Sequence, residues 1–123
     1  MRVTIVPVDG LVNIDGLRYL GLDLSFIPNN VHAVQWYDTY GEVEIKDPVT
    51  GKMISNDDIN SLDLYQPAID AWNSAKLAEE AAAVKKAEED RIAAEQAAAA
   101  EAERLRLAME QAEIEKNKPQ GNI

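Results

Sequence analysis

His32 is the only histidine in the 123 residues, and there is no cysteine. A site built on several imidazoles, a thiolate zinc centre, a disulfide scaffold and a cysteine nucleophile are all excluded. The acidic connector, Asn56-Asp57-Asp58-Ile59-Asn60-Ser61-Leu62-Asp63, offers the oxygen ligands that calcium takes. It lacks the alternating ligand spacing, the central glycine and the closing glutamate of an EF-hand loop, so a solvated connector with helix-capping groups accounts for it better. Asp47-Pro48-Val49-Thr50-Gly51-Lys52 ends in Gly-Lys but is too short to cradle a phosphate, and its residues are those of a hairpin turn. Glu42 and Glu44, two apart, share one face of a strand, where a solubilising edge is the plainer use. No Gly-x-Ser-x-Gly elbow accompanies His32, which lies near Val34 and Trp36 in a strand pattern. No catalytic residues, no metal site and no cofactor are expected, and the chain reads as a non-enzyme.

The aromatics are the second set to weigh. Trp36, Tyr37, Tyr40, Tyr65 and Trp72 are dense for so small a chain, and all seven aromatics lie at or before Trp72. Core and rim packing is one use; a protein-binding surface is the other, because Trp and Tyr dominate binding hot spots. With Leu105 and Met109, four apart further on, these five are the candidate partner contacts. The formal net charge of −10 repels phosphate backbones, so nucleic acid is not an expected partner. No apolar run approaches the ~20 residues that span a bilayer, and the opening MRVTIVPVDG, broken by Pro7 and Asp9, is a poor secretion signal.

The elements that must position these residues fall into two materials. Five of the six glycines lie at or before Gly51, whereas sixteen of the 44 residues from Ala71 to Ile114 are alanine. Val3 to Val8 reads as a first strand. Val12-Asn13-Ile14 and Leu17 to Leu20 flank Asp15-Gly16, the preferred pair for a two-residue hairpin loop with both φ positive. Ser25 to Asn30 reads as a helical turn closed by Pro28 and Asn. Val31 to Tyr37 alternates Val31, Ala33, Gln35 and Tyr37 on one face against His32, Val34 and Trp36 on the other. Glu42 to Lys46 alternates with Val43 and Ile45 inward, and Lys52-Met53-Ile54 returns as a short strand, giving a meander of four to six strands. Two starts for the following helix are open: Leu62, after a Ser61 cap, or Pro67, which needs no amide donor in a first turn. From there to about Asn117 no Gly or Pro intervenes, and fifty such residues would reach roughly 75 Å. Lys118-Pro119-Gln120-Gly121 supplies the stop.

The expected architecture is α+β, a small antiparallel β head followed by one long C-terminal α-helix. Residues 1–60 form the β-meander head, 61–75 the connector and helix start packed on it through Ile69 and Trp72, 76–118 the long Ala/Glu-rich helix for assembly, and 119–123 a tail. Along the helix the best apolar stripe runs Leu77, Ala81, Val84, Glu88, Ile92, Glu95, Ala99, Ala102, Arg106, Met109, with charges intruding and a four-four step around Glu88. Three uses are open. The helix is a solvent-bathed rod braced by Lys76–Glu80, Lys86–Asp90, Arg91–Glu95 and Arg106–Glu110 at i,i+4; it pairs with copies of itself as a coiled coil; or it lies in a groove on a larger partner. Fifty helical residues without tertiary packing fray, which favours assembly and a homo-oligomer over the rod.

Val31-His32-Ala33-Val34-Gln35-Trp36 followed by Gly41-Glu42-Val43-Glu44, and Leu64-Tyr65-Gln66-Pro67-Ala68-Ile69-Asp70-Ala71-Trp72 running into the helix, together with Val-Asp-Gly and Ile-Asp-Gly near the start, resemble small tailed-bacteriophage proteins of the tail and tail-fibre region, of the tail-fibre-assembly-like or virion structural kind. The likeness covers roughly residues 1–75, and no site residues carry over. It implies a structural or assembly role in a virion, made in the host cytoplasm, with other tail or fibre proteins as partners. A tail-fibre assembly chaperone and a small regulatory protein are the alternatives.

Overall fold

The computed structural model describes residues 1–118; the expected tail, 119–123, lies outside the described residues. Six strands, β1 (Arg2–Val6), β2 (Leu11–Ile14), β3 (Leu17–Tyr19), β4 (Val31–Tyr37), β5 (Gly41–Lys46) and β6 (Met53–Ile59), precede a single α-helix, α1 (Gln66–Lys116). The strands pair antiparallel in the order β3-β2-β1-β4-β5-β6, so the fold is α+β with an antiparallel sheet and one long helix. The chain divides into two compact units, Met1–Glu79 and the part from Glu80 onward.

In the first unit one face of the sheet is the core floor. Val3, Ile5, Val12 and Val34 are completely buried there, and Ile14, Trp36 and Val43 extend it. Its cover comes from two segments: Leu24 and Ile27 of the loop after β3, and Leu62, Tyr65, Ala68, Ile69 and Trp72 of the helix approach. Each large apolar side chain withdrawn from water there contributes about 1.5–3 kcal/mol, so β1 and β2 cannot hold their face inward without the first turns of α1. Asp15 (φ 50°) and Gly16 (φ 92°) both take the left-handed region, as a two-residue β2–β3 loop requires.

Four local expectations need correction. Strand β1 stops at Val6, because Pro7 opens a 3-10 turn through Asp9. Ser25 to Asn30 forms no helical turn; two tight turns close there, Ile27 N–H to Leu24 O (3.0 Å) and Val31 N–H to Pro28 O (3.1 Å). Strict alternation along β4 fails at a bulge between Val31 and Ala33, which brings Val31 to the same core as Val34 and Trp36 and turns His32 out to solvent. Finally, the run from Asn56 to Asp63 is a connector only beyond Ile59: β6 continues through Asn56, Asp57 and Asp58 to Ile59 as the sheet's outer strand, where exposed Asp and Asn are tolerated on an edge.

The helix start combines both expected possibilities. A 3-10 turn over Asp63–Tyr65, with Asp63 N–H donating to Ser61 Oγ (3.1 Å), leads directly into α1 at Gln66, and Pro67 falls in its first turn. At the β5–β6 loop the Asp47 carboxylate accepts the N–H groups of Val49 (2.8 Å) and Thr50 (3.1 Å), which hold its carboxyl below the ordinary aspartate value. Such a group stabilises the fold above the ordinary value and loses that contribution as pH falls through the lowered one. An NMR titration of the Asp47 carboxyl carbon is expected to show a midpoint below that of an unfolded reference peptide. A midpoint at or above the reference would rule out these two bonds as a stabilising contact.

Candidate functional site

The seven expected contact residues separate by burial. Trp36, Tyr65 and Trp72 are each at most 8% exposed and belong to the core. Trp72 donates its Nε1–H to Leu17 O (2.9 Å), meets Tyr19 edge-on at 6.0 Å, and carries the Lys76 ammonium 5.4 Å above its ring. Burial raises the Tyr65 phenol above its ordinary value. These three rings hold the head together, and Tyr65 also lines the groove along the β5–β6 edge.

Tyr37 and Tyr40 are placed differently. The tight β4–β5 turn, closed by Tyr37 N–H to Tyr40 O (2.7 Å) and by Asp38 at φ 73°, brings their rings to 5.3 Å. Arg2 stacks on the Tyr37 ring at 5.3 Å, and the Asp38 carboxylate accepts from the Met1 amine. Tyr40 is 58% exposed. A cation over one ring and a second ring open beside it form a compact aromatic corner suited to protein contact.

The corner borders the uncovered face of the sheet. Strand registers line up one residue per strand across all six: Arg18, Asn13, Thr4, Gln35, Glu42 and Asp58. The row is basic at the β3 edge, uncharged in the middle, where Thr4 Oγ1 donates to Gln35 Oε1 (2.8 Å), and acidic at the β6 edge. Glu42 and Glu44 lie on this face together, whereas Asp57 and Asp58, consecutive in β6, point to opposite faces and do not converge. Among the described residues no group of three His, Asp or Glu could hold a metal ion.

On the core side a groove of about 450 Å³ opens along the β5–β6 edge, lined by Phe26, Ile27, Val43, Ile45, Ile59 and Leu64 among others. Phe26 and Leu64 were not singled out from sequence. Leu64 stands 80% exposed in the 3-10 turn before α1, and the only signal for it was an apolar residue amid a polar run.

In the second unit all described residues, 80–118, are exposed, Leu105 and Met109 included. Three of the expected i,i+4 pairs form, Lys86–Asp90 (3.0 Å), Arg91–Glu95 (2.5 Å) and Arg106–Glu110 (2.5 Å). Three pairs at i,i+3 were missed: Glu88–Arg91, Glu101–Arg104 and Glu103–Arg106, with the acid nearer the helix N-terminus, the orientation the dipole favours. The Arg91 guanidinium holds the Glu88 carboxyl below the ordinary glutamate value. No helix among the described residues is long and apolar enough to cross a membrane. No family model, no curated protein and no solved structure matches the chain.

Proposed function

We propose that this chain is a non-enzymatic structural protein of a tailed-phage particle, whose β head docks on a tail or fibre component and whose long helix joins it to further copies or to a neighbour. One observation carries the assembling role of the helix. Residues 80–118 bury nothing, yet Val84, Ile92, Leu105, Leu107, Met109 and Ile114 stand among them at 40–74% exposure. Surface ion pairs brace such a helix only weakly, and helices of this kind draw most of their stability from packing. An uninterrupted 51-residue helix with large apolar side chains in water is therefore best supported by a partner. The resemblance of residues 1–75 to tail-region proteins supports the particle as the setting.

The apolar groove beside β6 favours a second reading, an assembly chaperone that receives a fibre segment at Phe26 and Leu64 and then leaves. Quantitative mass spectrometry of purified particles separates the two. A structural part is expected at a fixed copy number. Absence from particles whose fibres fail to mature without the chain would establish the chaperone, and absence with normal fibres would overturn both.

A further inference from the structure

Within the second unit a second run of α1 has a stricter spacing than the stripe through Glu88. It begins Glu80, Val84, Ala87, Arg91, Ala94 and continues at Ala98, Glu101, Leu105, Ala108 and Ala112. Steps of four and three alternate throughout, the spacing of a coiled-coil seam. Seven of the ten positions are apolar, and all ten are exposed. Alanine at five of them removes the bulk that would hold a second helix away.

We infer that this seam closes on the same seam of a second copy of the chain, running antiparallel, in the register that sets Arg91 against Glu101 of the other copy. The inference rests on the reading of α1 as the assembling part of the molecule. Charge selects the direction. In a parallel pair every residue meets its own duplicate, so Glu80, Arg91 and Glu101 would each make a like-charged layer. Antiparallel, the two central charges meet their opposites, and twofold symmetry makes the contact twice.

The same register satisfies the remaining layers by size. Val84 faces Ala108 and Ala87 faces Leu105, large against small in each case. Ala94 faces Ala98 next to the twofold axis, where the helices can approach to the close end of the usual range, about 8 Å between axes. Glu80 faces Ala112 at the ends, where its carboxylate reaches water. Sliding by one heptad in either direction places Arg91 against Ala94 or Ala108 and Glu101 against Val84 or Ala98, leaving both charges unmatched. Along the flanks Asp90 comes beside Arg104 of the other copy, and Met109 covers Ala81. One flank contact is adverse: Glu95 meets its duplicate at the axis, but Arg91 of the same helix stands 2.5 Å from that carboxylate and offsets the repulsion. The interface is isologous, so assembly through it ends at two copies.

Sedimentation equilibrium of the full chain is expected to show a dimer. Arg91→Glu alone, or Glu101→Arg alone, is expected to raise its dissociation constant by about tenfold or more, because like charges then face each other in two layers. Combining Arg91→Glu with Glu101→Arg is expected to return it to within about threefold of the unaltered chain. Within one helix the double change only adds repulsion, an acid at 91 between Glu88 and Glu95 and a base at 101 beside Arg104. Recovery therefore reports the contact between copies. The chain has no cysteine of its own, so an equimolar mixture of Ala94→Cys and Ala98→Cys chains reads the direction after mild oxidation. The mixed disulfide is expected to dominate. A monomer at high concentration, a double variant as weak as the single ones, or preferential joining of two Ala94→Cys chains would each overturn the inference. None of these results decides whether the chain occurs in purified particles, which tests the proposed function separately.

Discussion

Trp72→Ala is expected to destabilise the head by about 3–5 kcal/mol, as measured by urea denaturation followed through the fluorescence of Trp36, the one tryptophan left. Trp72 is 8% exposed, so the change removes a large buried ring, an edge-on contact to Tyr19 and the hydrogen bond from Nε1 to Leu17 O. Leu17 belongs to β3, the short strand at one edge of the sheet, so the loss both empties the core and frees that edge. At about 0.05–0.15 kcal/mol per residue, a unit spanning Met1–Glu79 holds roughly 4–12 kcal/mol in total, so the substitution consumes a large part of it. The melting temperature of the head is expected to fall by about 20 °C. Trp72→Phe keeps most of the packing and loses the donor, and is expected to fall in between. A Trp72→Ala head within about 1 kcal/mol of the unaltered protein would show that the first turns of α1 are not part of the core.

The second large effect is expected from Gly41→Ala. Gly41 pairs with Trp36 across β4 and β5. A Cβ there would collide with the Gln35 carbonyl oxygen and come within 2.9 Å of Trp36 Cε3 and 3.1 Å of Trp36 Cα. Two of those three neighbours are backbone, so relief requires the strands to part. Overpacking of this kind costs about 2–3 kcal/mol, and here it acts on the ring that anchors β4 in the core. Gly16→Ala is the control. Nothing lies within 4 Å of its added methyl, and only the left-handed φ of 92° resists, for about 1 kcal/mol. Equal losses at the two positions, read by thermal or urea unfolding, would remove the steric argument.

What the sequence revealed depended on how local the cause was. Asp15-Gly16 announces its hairpin because two adjacent residues carry the whole conformational requirement, and both indeed have positive φ. The long helix is equally legible, since fifty positions agree. The bulge in β4 left no mark: a single extra residue, His32, is accommodated by the partner strand, and the periodicity around it looks regular until the pairing is known. Only the start of strand β6 was legible, at Met53 and Ile54; the rest was hidden because Asn56, Asp57 and Asp58 are poor strand formers, and only their place on an edge makes them acceptable there. For the aromatics, spacing alone could not separate Trp36 and Trp72, closed into the core, from Tyr40, carried out on a turn. That distinction depends on which ring finds a distant neighbour, as Trp72 finds Leu17 O, 55 positions earlier.

The order of the strands has a bearing on events at the ribosome. Of the six strands the first in sequence, β1, lies inside the sheet, with β2 and β4 added on its two sides as the chain lengthens. The apolar face that Val3, Ile5 and Val12 begin must then wait for Ile69 and Trp72 before it is roofed. At translation speeds of about 5–20 residues per second, the sixty residues from Val12 to Trp72 take about 3–12 s to emerge. Most of the helix beyond Trp72 has still to emerge at that moment. Vectorial synthesis therefore allows the aromatic head to close first and delivers the exposed stretch from Glu80 afterwards, so the head can fold before the apolar side chains of that stretch reach water.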